Sequence, residues 1–330
     1  MIAYIWRVLF FVTITACFMT SGRNSAVANH AELEKPIVIA INNWSSQIVL
    51  SEVYRNVLER VGYKVVFAPV DVAQQWGALG RGRIHAQVEV WEGSQNHQFQ
   101  QIMAKKLIIS AGTHRATTQE GWWYPDYVAN LCPGLPNWKA LKECAKIFEG
   151  SPDSEKGLYI TGPWDRYEQF KILALDLPFT IKRLKNSIEL RAEIKKHIKG
   201  KRPILVHNWT PNWTDNYYPG QFVEFPAYSK ECAIDPSWGI NPHLAYDCGN
   251  PKDGWLKKVV WHNFPKQWPC AYNILQRIDA NKRMVEDLSK FVNIEGYTPR
   301  QAAEKWLALH PEKWQAWLNG NCKQHMTLQE

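Results

Sequence analysis

Four short apolar runs in this chain each end in tryptophan. IVIAINNW closes at Trp44, IHAQVEVW at Trp91, LYITGPW at Trp164 and ILVHNW at Trp209. Runs of this length, rich in Ile and Val, fit strands buried on both faces, as in parallel sheets. The segments between them have helical spacing. From Ser46 to Val61 the apolar residues Ile48, Val49, Val53, Val57, Leu58 and Val61 recur at intervals of three and four, and Gly62 follows. The spacing predicts strands at Pro36–Asn42, Tyr63–Val70 and Ile84–Trp91. Asp71 caps a short helix that ends near Gly80, and a further helix covers Asn96–Lys106. A β-α-β-α-β order implies an α/β fold with a doubly wound parallel sheet.

The pattern restarts after Gly121. Helices are expected over Asn137–Glu149, Asp165–Leu177 and Ser187–Lys199, with strands over Gly157–Thr161, Thr180–Leu184, Pro203–Asn208 and Phe222–Phe225. Tyr228–Gly254, rich in Pro, Gly, Cys and Asn, reads as an irregular excursion. Val259–Trp261 resumes a strand, and helices near 266–279, 281–292 and 298–317 close the chain. Two doubly wound α/β lobes joined by a two-segment hinge follow from this order. One is formed by 29–120 with 231–330, the other by 121–230, with crossings near Ala116–Tyr124 and Phe225–Lys230. A ligand is expected between them.

Residues 1–28 read as a secretory signal peptide. One positive charge precedes the apolar stretch Val8–Met19, and Ala26-Val27-Ala28 forms an A-x-A cleavage site. Ile14-Thr15-Ala16-Cys17 also resembles a lipoprotein box, which leaves lipid anchoring at Cys17 as an alternative. The chain carries seven cysteines; without Cys17 an even six remain, as exported disulfide proteins have. Six cysteines allow 15 pairings; locality favours Cys132–Cys144, Cys232–Cys248 and Cys270–Cys322. No Cys-x-x-Cys pair is present, so neither a metal nor a cofactor is expected. The net charge of +8, about +6 once Arg7 and Arg23 are removed with the leader, is spread over helix faces. With no nucleic-acid motif, it reads as solvated surface.

The tryptophans carry the chemistry. Ligands of open α/β sheets bind where strands give way to loops, which is where Trp44, Trp91, Trp164 and Trp209 stand. A trimethylammonium group is permanently charged and has no N–H, so hydrogen bonds cannot hold it. Ring faces can, at roughly 0.5–2 kcal/mol each. If the ligand also has a carboxylate, the strand-to-helix turn at Gly162-Pro163-Trp164-Asp165-Arg166 offers the amides of Asp165 and Arg166 and the Arg166 side chain. Asp165 also suits an N-cap. G-x-S-x-G, H-E-x-x-H, P-loop and G-x-G-x-x-G motifs are missing, so the chain is read as a binder and not an enzyme. A secreted carbohydrate binder or glycosidase is the rival, since sugars also stack on Trp and Glu92, Asp126 and Asp165 lie near the proposed site.

These segments resemble the substrate-binding proteins of glycine betaine/proline betaine/choline ABC transporters. RPILVHNWTPNW is similar to that family's strand ending in a box tryptophan, here Trp209. HAQVEVW matches a second at Trp91, ITGPW a third at Trp164, and INNW the first-strand turn of the choline branch at Trp44. Where that branch has a tyrosine, EGWWYP makes Trp122 the counterpart, and YTPRQAAEKWLALHPEKWQAWL resembles the C-terminal helices. The choline branch has an Asp after its first tryptophan, whereas Ser45 and Ser46 stand here. One betaine branch has a His four residues after its second, where Gln95 stands. The resemblance implies a periplasmic binding protein-like fold and a monomer. It implies an aromatic cage for a quaternary ammonium solute, glycine betaine first, with choline, carnitine or trimethylamine N-oxide as alternatives. The partners it implies are a membrane permease and its ATPase.

Overall fold

A computed structural model describes residues 30–148, 155–164 and 167–319. The leader, Asp165, Arg166 and Cys322 lie outside the described residues. A short helix α1 (His30–Glu34) precedes β1 (Ile37–Ile41), α2 (Ser45–Glu59), β2 (Val65–Pro69), α3 (Val72–Gly80), β3 (Ala86–Trp91) and α4 (Glu92–Ala104). The long strand β4 (Ile108–Pro125) leads to α5 (Ala140–Cys144), β5 (Gly157–Thr161), α6 (Glu168–Ala174), β6 (Phe179–Arg183), α7 (Ser187–Lys199), β7 (Leu205–Thr210) and β8 (Gly220–Phe222). After the excursion come β9 (Gly254–Trp261), α8 (Phe264–Gln267), α9 (Pro269–Arg277), α10 (Lys282–Asn293), α11 (Pro299–Leu309) and α12 (Pro311–Leu318).

The strands follow one hydrogen-bonded path, β2-β1-β3-β9-β4-β7-β5-β6, with β8 also on β4. β1 is parallel to β2 and β3, and β5 is parallel to β6 and β7. The alternation of β1 explains its apolar run. Ile37 and Ile39 pack into a core with α2 and the C-terminal helices, while Val38 and Ala40 pack into another with Trp76 and Phe99 of α3 and α4. On the first of these faces α2 buries Val49, Leu50, Val53, Tyr54, Val57 and Leu58, and it packs against α9, α10 and α11. The C-terminal helices thus return to the first strands. A separate core gathers Trp122, Tyr159, Phe148 and Phe179 around β5 and β6.

Several elements differ from expectation, among them the helix near 266–279, which is split into α8 and α9 with Pro269 at the break. Residues 108–125 form one long strand where no strand was expected, and it runs through the crossing expected near Ala116–Tyr124. Polar residues in THRATTQE hid it, and its register shifts between Ser110 and Gly112 and between Thr113 and Thr117, which breaks the period of two. The helix expected over 298–317 is two helices, because Pro311 has no N–H to give and its ring crowds the preceding turn. The helix expected over Asn137–Glu149 is confined to α5 among the described residues.

The disulfides Cys132–Cys144 and Cys232–Cys248 are present. Cys270 is disulfide-bonded, and its expected partner Cys322 lies outside the described residues. The second bridge closes the excursion, whose turn is organised by the buried Asp247 accepting from the amides of Ile240 and Asn241, both at 2.6 Å. The excursion touches both sides of the molecule. Tyr228 Oη accepts from Asn96 of α4 at 3.4 Å, while Tyr246 stacks on Tyr167 beside α6 at 5.0 Å. Closing a loop of this length removes about 3 kcal/mol of unfolded-chain entropy. The double substitution Cys232→Ser/Cys248→Ser is therefore expected to lower unfolding free energy by roughly 2–4 kcal/mol in a denaturant titration.

His114 on β4 ties strand to helix. Its Nε2 donates to Val88 O at 2.9 Å and its Nδ1 accepts from Ala280 N at 3.0 Å, a pattern that only the neutral ring satisfies. Burial, reinforced by nearby Lys258, pushes its pKa from 6.5 down to about 3. The folded value lies below the unfolded one, so the contribution to stability is full above pH 6.5 and is lost as pH falls toward 3. The His114 ring is expected to stay neutral at pH 5 in an NMR titration; a protonated ring there would refute this assignment.

Candidate functional site

The ends of two strands meet on β4. On one side Trp91, the last residue of β3, pairs with Leu256 of β9, whose Gly254 pairs with Thr118 of β4. On the other side Trp209 and Thr210 of β7 pair with Glu120 and Gln119. Trp44 sits just past β1 at the start of α2, and Trp164 just past β5. These four indoles line one recess of about 290 Å³ together with Val72, Ser94, Gln95, Glu120 and His207. Trp164 stands between two of the others. Its ring centroid is 6.0 Å from that of Trp44 at an interplanar angle of 65°, and 5.7 Å from that of Trp209 at 88°.

The polar groups of the recess are paired unevenly. Trp44 Nε1 and Trp91 Nε1 both donate to Glu89 Oε1, at 2.7 and 2.9 Å, and Ser46 Oγ donates to the same oxygen at 2.8 Å. Burial raises the Glu89 pKa, and the three hydrogen bonds hold it back. Trp164 Nε1 and Trp209 Nε1 are buried without a partner. A chain of buried amides reaches the recess from behind. Gln47 donates to Gln87, Gln87 to Gln75 and Gln75 to Gln95, at 3.0, 2.6 and 2.8 Å. With its oxygen committed to Gln75, Gln95 has its N–H₂ end for donation.

Glu120 lies against the start of α4, where a Cβ on Gly93 would stand 2.5 Å from its Oε1. Its Oε2 accepts from Ser94 Oγ at 3.2 Å. His207 is held neutral near physiological pH, with burial pushing its pKa to about 4. Beside the recess a larger cleft of about 830 Å³ shares Ser94, Glu120, Trp164 and His207 with it and extends to Tyr167, Tyr228 and Tyr246. Its wall contains the buried ion pair Lys171–Glu168 at 3.1 Å.

Trp44, Trp91, Trp164, Trp209 and Gln95 are therefore brought together. Trp122 is not among them, which corrects the expectation drawn from EGWWYP. Its ring stacks on Tyr159 at 4.1 Å, meets Phe179 and Phe225 edge-on, and donates Nε1 to Glu168, all in the core around β5. Asp165 and Arg166 lie outside the described residues. Glu89 and His207 escaped the sequence reading. Each stands two residues before a box tryptophan on a strand.

Comparison with known proteins identifies a family and a fold. The family described as the substrate binding domain of ABC-type glycine betaine transport systems matches residues 35–309. A trimethylamine N-oxide-binding protein of Pelagibacter ubique is 33% identical over 299 residues, which is 88% of this chain and 93% of that protein. Among solved structures, a choline binding protein in complex with choline superposes with TM-score 0.71 at 14% identity, covering 88% of this chain and 96% of that one. A glycine betaine, L-proline binding protein of Borrelia burgdorferi gives TM-score 0.69 at 17% identity, covering 88% and 100%. At these identities the two structures speak for the periplasmic binding protein fold alone. Among the described residues no helix is long and apolar enough to cross a membrane. The chain belongs to the family of substrate-binding domains of ABC-type glycine betaine transport systems.

Proposed function

We propose that the protein captures a small trimethylammonium solute carrying its own oxyanion, trimethylamine N-oxide ahead of glycine betaine, and delivers it to a membrane permease driven by an ATPase. The observation that carries this is the pairing of four indoles lining one recess with two buried, unpartnered indole N–H groups, on Trp164 and Trp209. The faces suit a methylated cation. A cation about 4.5 Å above each of two perpendicular rings leaves their centroids roughly 6.4 Å apart, and Trp164 lies at 5.7 Å from Trp209 and 6.0 Å from Trp44.

The free donors ask for more than a cation. A buried N–H left unmade costs about 1–3 kcal/mol, and an oxygen on or near the methylated nitrogen would satisfy it. Trimethylamine N-oxide carries that oxygen on the nitrogen itself, within the reach of the recess. The relative that shares a third of its residues with this chain is named for that solute. Glycine betaine, named in the family description, is the second reading; its carboxylate would extend toward Gln95 and the adjoining cleft. Capture takes place outside the cytoplasm in this reading, with residues 1–28 as the export signal. The two disulfides suit an oxidising compartment.

Calorimetry with trimethylamine N-oxide, glycine betaine, choline and carnitine tests the ligand. The first two are expected to bind at least tenfold more tightly than the last two, and a preference for choline would refute the oxyanion. Trp91→Ala and Trp209→Ala are each expected to weaken binding by roughly tenfold, the value of one cation–π wall. Phenylalanine in place of Trp91 should cost less than alanine. Undiminished affinity in both alanine variants would remove the cage.

A further inference from the structure

Glu89 does not line the recess; it stands behind two of its walls. It is fully buried on β3, two residues before Trp91. One of its oxygens collects the indole N–H of Trp44, at the start of α2, and that of Trp91, at the end of β3. The single acceptor thereby fixes two rings from different elements in one mutual orientation. Its other oxygen, Oε2, is buried without a partner. The donors facing Glu89 are neutral (Trp44, Ser46 and Trp91), and the side chains lining the recess include no Lys or Arg among the described residues. A packing role alone would need only an acceptor oxygen, which glutamine supplies equally well. A carboxylate does something glutamine cannot. Accepting from an indole N–H, it pushes electron density onto the ring and adds a negative charge at the ring's nitrogen edge, and both strengthen the ring face's attraction for a cation.

We propose that Glu89 is a positioning residue that orients Trp44 and Trp91 and, through its charge, tunes those two walls for a methylated cation. This rests on the methylated-amine reading of the recess. It divides the cage into two kinds of wall. Trp44 and Trp91 are backed by an acceptor and suit the cationic end of a solute. Trp164 and Trp209 have free N–H groups and suit its oxygen. A dipolar solute is thus held in one orientation, with its nitrogen toward β3.

The test compares the unaltered protein with Glu89→Gln, which keeps the acceptor and removes the charge. Each is titrated calorimetrically with trimethylamine N-oxide, glycine betaine and tetramethylammonium. Glu89→Gln is expected to bind at least about tenfold more weakly whichever of these the unaltered protein binds. The indole N–H resonances of Trp44 and Trp91 should shift in its ¹H–¹⁵N spectrum, while those of Trp164 and Trp209 stay in place. Affinity within twofold of the unaltered protein in a folded Glu89→Gln variant would overturn the proposal and leave the solute class standing. If the unaltered protein binds none of the three, the methylated-amine reading falls and this proposal with it. Should Glu89→Gln not fold, the phenylalanine variants decide. With tetramethylammonium, which has no oxygen to receive an N–H, Trp91→Phe should lose more affinity than Trp209→Phe, and equal losses would overturn the role of Glu89.

Discussion

The site depends on one ladder of backbone hydrogen bonds. β4 pairs with β9 along its first part and with β7 along its second, and the change of partner falls at Thr118–Gln119. Two strands arriving from different directions therefore end beside the same few residues. Neither group of strands could build the recess by itself, because β3 brings Trp91 and β7 brings Trp209. A shift of one residue along β4 would turn the side chains opposite Glu120 and Gln119 to the other face. The pairing register is thus what aligns the tryptophans.

Around that junction the interior is more polar than a packing core requires. Asn42, Gln47, Gln75, Gln87, Glu89 and Gln95 are all buried. Burying polar groups is unfavourable unless each is hydrogen-bonded. The amides meet this condition by bonding to one another and to the backbone at Ala40 and Val70. Some exceptions lie at or behind the recess, while Tyr124 Oη and Trp306 Nε1 are buried without partners elsewhere. Those at the recess are Trp164 Nε1, Trp209 Nε1 and Glu89 Oε2.

Much of this was legible in the sequence. The apolar runs announced β1, β3, β5 and β7 because strands buried on both faces show continuous rather than alternating hydrophobicity. Asp71 caps α3 as read, its side chain accepting from Ala73 N. The two short-range disulfides followed from locality. β4 was illegible because its pairing with β9 and β7 is decided by long-range partners and interrupted by register shifts. The doubled Trp122-Trp123 could not be resolved for a related reason, since adjacent strand residues face opposite ways and only the tertiary context says which is which. The EGWWYP match placed Trp122 in the cage, whereas Tyr159 and Glu168, both remote in sequence, claim it for the core.

The run of glutamines from Gln47 to Gln95 has one more implication. Carboxamides neither gain nor lose protons in water, and their dipoles cannot be neutralised by salt as surface charges are. A wall supported from behind by such groups keeps its pattern of donors and acceptors when the medium turns acidic, alkaline or briny. Histidines or ion pairs in the same place would rearrange with every such change. The scaffold behind Gln95 is in this sense indifferent to the acidity and saltiness of its surroundings.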